Sequence, residues 1–150
     1  MIRQSDTDHP AMGLPMEPRA QLQSVPNFFH EKGILGVLEP GVAVPFQFKR
    51  FFFVTGVPSD AIRGGHAHLA CHQFIVCLGG RLHVGTEDRV GYLRHDLSKP
   101  DEGLYVPPMT WVDLKSLSSS TSYVVAASHT YDASDYLRDQ VEFRQLLEPE

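Results

Sequence analysis

Between Lys32 and Ser128 the chain is broken into short apolar runs by glycine, proline and polar turn residues. This punctuation confines it to a fold built from many short strands. Ile34–Glu39 is the first run, and after the Pro40–Gly41 turn a Phe- and Val-rich stretch, Val44–Thr55, reads as one long strand. Gly56–Asp60, with Pro58, is a turn. His72–Leu78 ends at Gly79–Gly80, and Arg81–Gly85 leaves that turn as its hairpin partner. Arg89–His95, Leu104–Val106, Trp111–Lys115 and Ser122–Ser128 complete the strands. Close, even spacing favours a sandwich or barrel over βαβ units. Only the end reads as a helix: Asp132 or Ser134 is placed to cap a stretch whose apolar stripe is Tyr136, Leu137, Val141, Phe143, Leu146 and Leu147.

The 150 residues fit one domain, expected over 27–150, preceded by a proline-rich, polar arm over 1–26 that holds at most a short extended piece. Met1–Ala20 lacks the apolar block of a secretory signal, and no apolar run has membrane-spanning length. A cytoplasmic protein is expected, with Cys71 and Cys77 as buried thiols rather than a disulfide. A net charge of −5 without a basic block argues against nucleic acid as a partner. An anionic small ligand would need local positive charge, for which Lys49, Arg50, Arg63 and Arg81 are the candidates.

Chemistry concentrates in Ile62–Gln73, IRGGHAHLACHQ. Residues two apart on a strand share a face, so His66 and His68 point together, and Gly64–Gly65 permits a bend or close backbone approach. Inside a barrel, two imidazoles and the Arg63 guanidinium would converge. Burial and Arg63 would both disfavour the imidazolium and keep a histidine neutral as a base. Two other readings stand beside this one. His-x-His also suits two polar positions on a half-exposed strand, as His72, His83 and His95 do. It is also a metal-ligand pair. Gln73 is a poor ligand beside a carboxylate, Gly103–Asp113 has no histidine, and His129 is the single late candidate, so no metal is expected. Cys71 and His72 face opposite sides of a strand and do not make a nucleophile pair.

The runs EKGILGVLE, PFQFKRFFFV, RGGHAH with Gln73, GLYVPPMTW and AASHTYDASDYLRDQVEF, in this order from about Lys32 to Leu147, resemble the dTDP-sugar 3,4-ketoisomerases, or WxcM-like cupins. The resemblance implies an all-β cupin or jelly-roll barrel with a short C-terminal helix, a homodimer, no cofactor or metal, and a dTDP-4-keto-6-deoxy-hexose whose ketone moves from C4 to C3. It places the catalytic pair on His66 and His68, the motif arginine on Arg63 and the motif glutamine on Gln73. Lys49, Arg50 and Arg81 are expected to meet substrate, and Tyr105 and Trp111 to stack on or flank the base. Two departures stand out. The family's tyrosine after the Lys-Arg pair is missing from Lys49-Arg50-Phe51-Phe52-Phe53, and Leu69 replaces the usual basic residue after HAH. An epimerase and a non-catalytic sugar-nucleotide-binding module are the competing functions.

Overall fold

The structure, a computed structural model, describes residues 17–150. Its strands are β1 (Gln21–Ser24), β2 (Asn27–His30), β3 (Gly33–Gly36), β4 (Arg50–Val57), β5 (Ile62–His68), β6 (Gln73–Gly79), β7 (Leu82–Glu87), β8 (Tyr92–Leu97), β9 (Glu102–Val106), β10 (Trp111–Ser116), β11 (Thr121–Ala127) and β12 (Tyr136–Leu137). One helix, α1 (Gln140–Leu147), follows. Ten strands make two five-stranded antiparallel sheets, ordered β1-β9-β6-β11-β4 and β12-β5-β10-β7-β8, while β2 and β3 form a separate hairpin. The sheets face one another without closing into a barrel, so the expected cupin architecture is realised as a jelly-roll sandwich.

Alternation along the strands builds three apolar layers. Ile75, Cys77, Val84, Leu104, Val106, Val112, Leu114 and Val125 meet between the sheets. The opposite face of the first sheet, with Phe74, Val76, Tyr105 and Ala126, is covered by Val44, Phe46 and Phe48. The opposite face of the second sheet, at Ala67 and Trp111, is covered by Leu137 and by Phe143 of α1. Phe143 is fully buried, which contributes roughly 2 kcal/mol of apolar transfer.

Three expectations change. His72–Leu78 and Arg81–Gly85 do not make a hairpin: the chain crosses the sandwich at Gly79–Gly80, so β6 lies between β9 and β11 in one sheet and β7 between β10 and β8 in the other. The long strand over Val44–Thr55 is confined to β4, because the preceding Phe-rich residues lie across a sheet instead of joining it. Within the span read as the arm, Gln21–Ser24 pairs with β9 residue by residue, and Val25 donates its N–H to the Asp101 carbonyl at 2.8 Å. Residues 1–16 of that arm lie outside the described residues. The helix starts later, with the Asp139 carboxylate accepting from the Val141 and Glu142 N–H groups. Asp132 instead caps a single 3₁₀ turn, Ala133–Asp135. Cys71 and Cys77 are both buried free thiols.

Candidate active site

The pairing of β5 with β10 decides which side chains enter the interior. Arg63 sits opposite Leu114 and His66 opposite Val112, both of which face the core. Three positions separate Arg63 from His66, and a regular strand would send them to opposite faces. The register shifts between Val112 and Asp113, so that Gly65 is an extra residue and both side chains point inward. Gly64 and Gly65 have φ of 86° and 71°, left-handed values that suit glycine. A β-carbon on Gly64 would stand 2.6 Å from the Val112 carbonyl oxygen. The Gly-Gly pair is therefore the device that brings guanidinium and imidazole together.

The resulting cavity, of about 280 Å³ and open on one side, is lined by Phe52, Arg63, His66, Gln73 and Tyr123 among apolar residues of both sheets. His68 stands beside it, its ring 5.1 Å from that of His66 and perpendicular to it. It is 5% exposed. The two-residue strand β12 pairs Tyr136 with His68 and Leu137 with Ala67. This pairing places Asp135 so that its carboxylate oxygen lies 2.9 Å from His68 Nδ1. The Tyr136 ring packs against both imidazoles, at 5.0 Å and 4.4 Å, with the Arg138 guanidinium 4.7 Å above it.

Asp135, His68 and Cys71 have donor atoms within 4.8 Å of one another, the one grouping among the described residues with the composition of a metal site. The Asp135 carboxylate already accepts from His68 Nδ1–H and from the Ala70 and Cys71 N–H groups. The Cys71 thiol points at the His72 carbonyl. These groups work as an anchor for the imidazole.

Electrostatics keep both rings neutral. Burial, followed by the neighbouring His68 charge, pulls His66 down from 6.5 to about 4. His68 is also lowered, chiefly by burial, against the opposing pull of Asp135. The cations that assist are Arg138 for both rings and Arg50 for His68, not Arg63 as expected from the sequence. A stability effect follows, since an unfolded chain takes up the His66 proton near 6.5 while the folded one resists it until about 4. The contribution is intact above pH 6.5 and is lost progressively as pH falls towards 4. His66→Asn should flatten that part of the stability curve, which urea melts between pH 7 and 4.5 will measure.

Of the residues singled out from the sequence, His66, His68, Arg63, Gln73 and Arg50 are brought together. Arg50 faces the interior with Phe52, its guanidinium 5.2 Å from that ring and 5.7 Å from Tyr131. Three nitrogens of this group, Arg50 Nε, His66 Nδ1 and His68 Nε2, are buried with no hydrogen-bond partner. Four other candidates lie elsewhere. Tyr105 alternates with the inward Leu104 and Val106, so it faces outward, where its hydroxyl meets His72 Nδ1 at 2.8 Å. Trp111 packs on Phe143 under α1 for the same reason. Lys49 is exposed, and Arg81 pairs with Asp96 on the surface. Tyr123, Asp135, Tyr136 and Arg138 were not singled out as site residues. Tyr123 sits in an alternating strand whose inward face a sequence reader could have listed.

Comparison with known proteins gives the family and the fold. Residues 18–148 match the family described as FdtA: WxcM-like, C-terminal. The TDP-4-oxo-6-deoxy-alpha-D-glucose-3,4-oxoisomerase of Aneurinibacillus thermoaerophilus is 33% identical over 116 residues, 77% of this chain and 84% of that protein. QdtA, a sugar 3,4-ketoisomerase from Thermoanaerobacterium thermosaccharolyticum solved with TDP, superposes with a TM-score of 0.82 at 27% identity, covering 88% of this chain and 96% of its own. WlaRB, the TDP-quinovose 3,4-ketoisomerase of Campylobacter jejuni, gives 0.79 at 29% identity, covering 84% and 97%. With His66, Arg63 and Gln73 in one cavity of a jelly roll and His68 beside it, the chain belongs to the WxcM-like family of dTDP-sugar 3,4-ketoisomerases.

Proposed function

We propose that the protein moves the ketone of a dTDP-4-keto-6-deoxy-hexose from C4 to C3, in the synthesis of deoxy or amino sugars. The reading rests on the three buried, unpartnered nitrogens beside the cavity. Leaving such groups without partners costs stability, and a polar ligand seated there would satisfy them. The oxo-isomerase and ketoisomerase relatives supply the substrate class.

Asp135 accepts from Nδ1–H of His68, which fixes the tautomer and leaves the Nε2 lone pair free. Nε2 removes the C3 proton, the C3–H electrons form a C3=C4 double bond, and the C4 carbonyl electrons move to O4. The enediolate then loses the O3–H proton and gains a proton at C4, so that the ketone ends at C3 and no redox partner is required. His66, on the cavity wall and a weaker base, handles the oxygen-side proton. Arg63 faces the negative charge that develops on oxygen, and Gln73 orients a sugar hydroxyl. Arg50 holds the nucleotide's phosphates near the mouth.

We place the enzyme in the cytoplasm as a homodimer. The β2–β3 hairpin supports the dimer, because it exposes Phe28 with Leu35 on one face and Phe29 with Ile34 on the other. Among the described residues no helix is long and apolar enough to cross a membrane.

Incubation with dTDP-4-keto-6-deoxyglucose in D₂O tests the reaction. Deuterium entry accompanied by a C3 ketone supports it. Exchange with the ketone left at C4 would indicate an epimerase, and binding without exchange would leave only a sugar-nucleotide module.

A further inference from the structure

The cavity wall opposite the histidine strand carries a group that the mechanism so far leaves idle. Tyr123 lies on β11 with Val54 and Cys77 as its strand neighbours, faces inward, and is 4% exposed. Its surroundings are apolar, with Phe52, Val54, Ile75, Leu114 and Val125 on the same cavity surface. Burial pushes the phenol up, against a smaller opposing pull from Arg63, whose side chain lines the same cavity. A guanidinium has donors and no acceptor, so Arg63 can only donate towards the phenol oxygen and cannot take its proton. The phenol proton is therefore available to an acceptor brought into the cavity, whose other polar lining is Arg63, His66 and Gln73. Arg63 itself forms no ion pair with a carboxylate among the described residues. A cation and a free O–H thus lie side by side, waiting for an oxygen that is negative or becoming so.

We infer that Tyr123 is a catalytic residue whose Oη–H donates a hydrogen bond to the sugar oxygen that becomes the enediolate oxyanion, with Arg63 polarising the phenol from behind. The inference rests on the ketoisomerase reading and deepens it. As the C3–H bond breaks and electron density reaches O4, the Tyr123 hydrogen bond strengthens. Its proton stays on the phenol, so no further acid is consumed. A tyrosine suits this position because its high pKa keeps the proton in place at neutral pH. Phe52 on the adjacent strand β4 presents a ring of the same shape to the cavity with no hydroxyl, so the phenol has to come from β11.

Tyr123→Phe removes one oxygen atom from an apolar setting and should keep the fold. The test compares it with the wild type for the initial rate of deuterium entry in D₂O (at C4 of the product and at C3 of recovered substrate), for ketone relocation, and for TDP affinity and melting temperature. The expected result is a loss of about a hundredfold in both exchange and kcat, the scale for losing one oxyanion donor. TDP affinity and KM should stay within about threefold. An exchange rate within threefold of wild type overturns the role of Tyr123 while leaving the ketoisomerase reading untouched. A parallel loss of TDP affinity and melting temperature would mark the phenol as structural and overturn it too. Wild-type exchange without ketone relocation removes the ketoisomerase reading, yet a hundredfold slower exchange in Tyr123→Phe would still support the oxyanion contact. No exchange in the wild type overturns both.

Discussion

Replacing His68 with asparagine is expected to lower turnover by at least about a hundredfold, with substrate affinity nearly unchanged. A positioned general base is typically worth 10²–10⁴ in rate, and asparagine fills the site with no basic nitrogen. The environment of His68 differs from that of its neighbour in the feature a base needs. Its Nδ1 is 2.9 Å from the Asp135 carboxylate, while His66 has no carboxylate beside it and is held at about 4. His66→Asn should therefore cost less than His68→Asn. Steady-state rates for both variants, taken at equal folded fraction from melting curves, check the order. A larger loss at His66 would reverse the two roles.

Gly64→Ala should have the largest effect on stability of any single methyl added to β5. An alanine at φ 86° carries a conformational cost of about 1–2 kcal/mol. Its β-carbon would also sit 2.6 Å from the Val112 carbonyl oxygen and 2.9 Å from Leu114 Cδ1. The carbonyl belongs to the β10 ladder and cannot swing away as a side-chain tip would, so the total should reach about 3 kcal/mol or more. Gly65→Ala is the control: φ is 71°, but the nearest atom is Asp113 Oδ1 at 3.8 Å, which leaves only the conformational part. Urea midpoints of the two variants separate packing from strain. If they lose equal stability, the close approach of β10 is not what demands glycine at position 64. Relaxing the bulge would also put Arg63 and His66 out of phase, so the surviving Gly64→Ala protein should show reduced activity.

Most strand segments and the His66–His68 pairing were legible because alternation and turn residues are local signals. Which strands pair is not local: β6 and β7, adjacent in the chain, lie in different sheets. The Gly64–Gly65 pair even announced a bend, though only the register with β10 reveals that the bend reverses the side to which Arg63 points. Tyr105 and Trp111 were misplaced for a related reason. Alternation says that they share a face with one another's counterparts, but not which face borders the cavity, and both turned out to lie beneath covering segments. Val44–Thr55 read as a strand because Phe46 and Phe48 are as apolar as strand residues, yet they pack flat across Phe74 and Tyr105. Asp135 stayed hidden because its partner is 67 positions earlier in the chain. Nothing in a local pattern says that a carboxylate in a 3₁₀ turn will meet an imidazole on β5.

That separation has a consequence for cleavage and for assembly. Asp135 is delivered by a two-residue strand whose hold on β5 depends on Leu137 and Phe143 beneath it. A protease cut near Arg138 that freed the tail would leave both sandwich sheets otherwise intact and the histidines in their places. The imidazole would then lose its tautomer lock. Such a nicked product should still take up nucleotide while having lost its chemistry, so intact spectra and intact ligand affinity would not report a working enzyme.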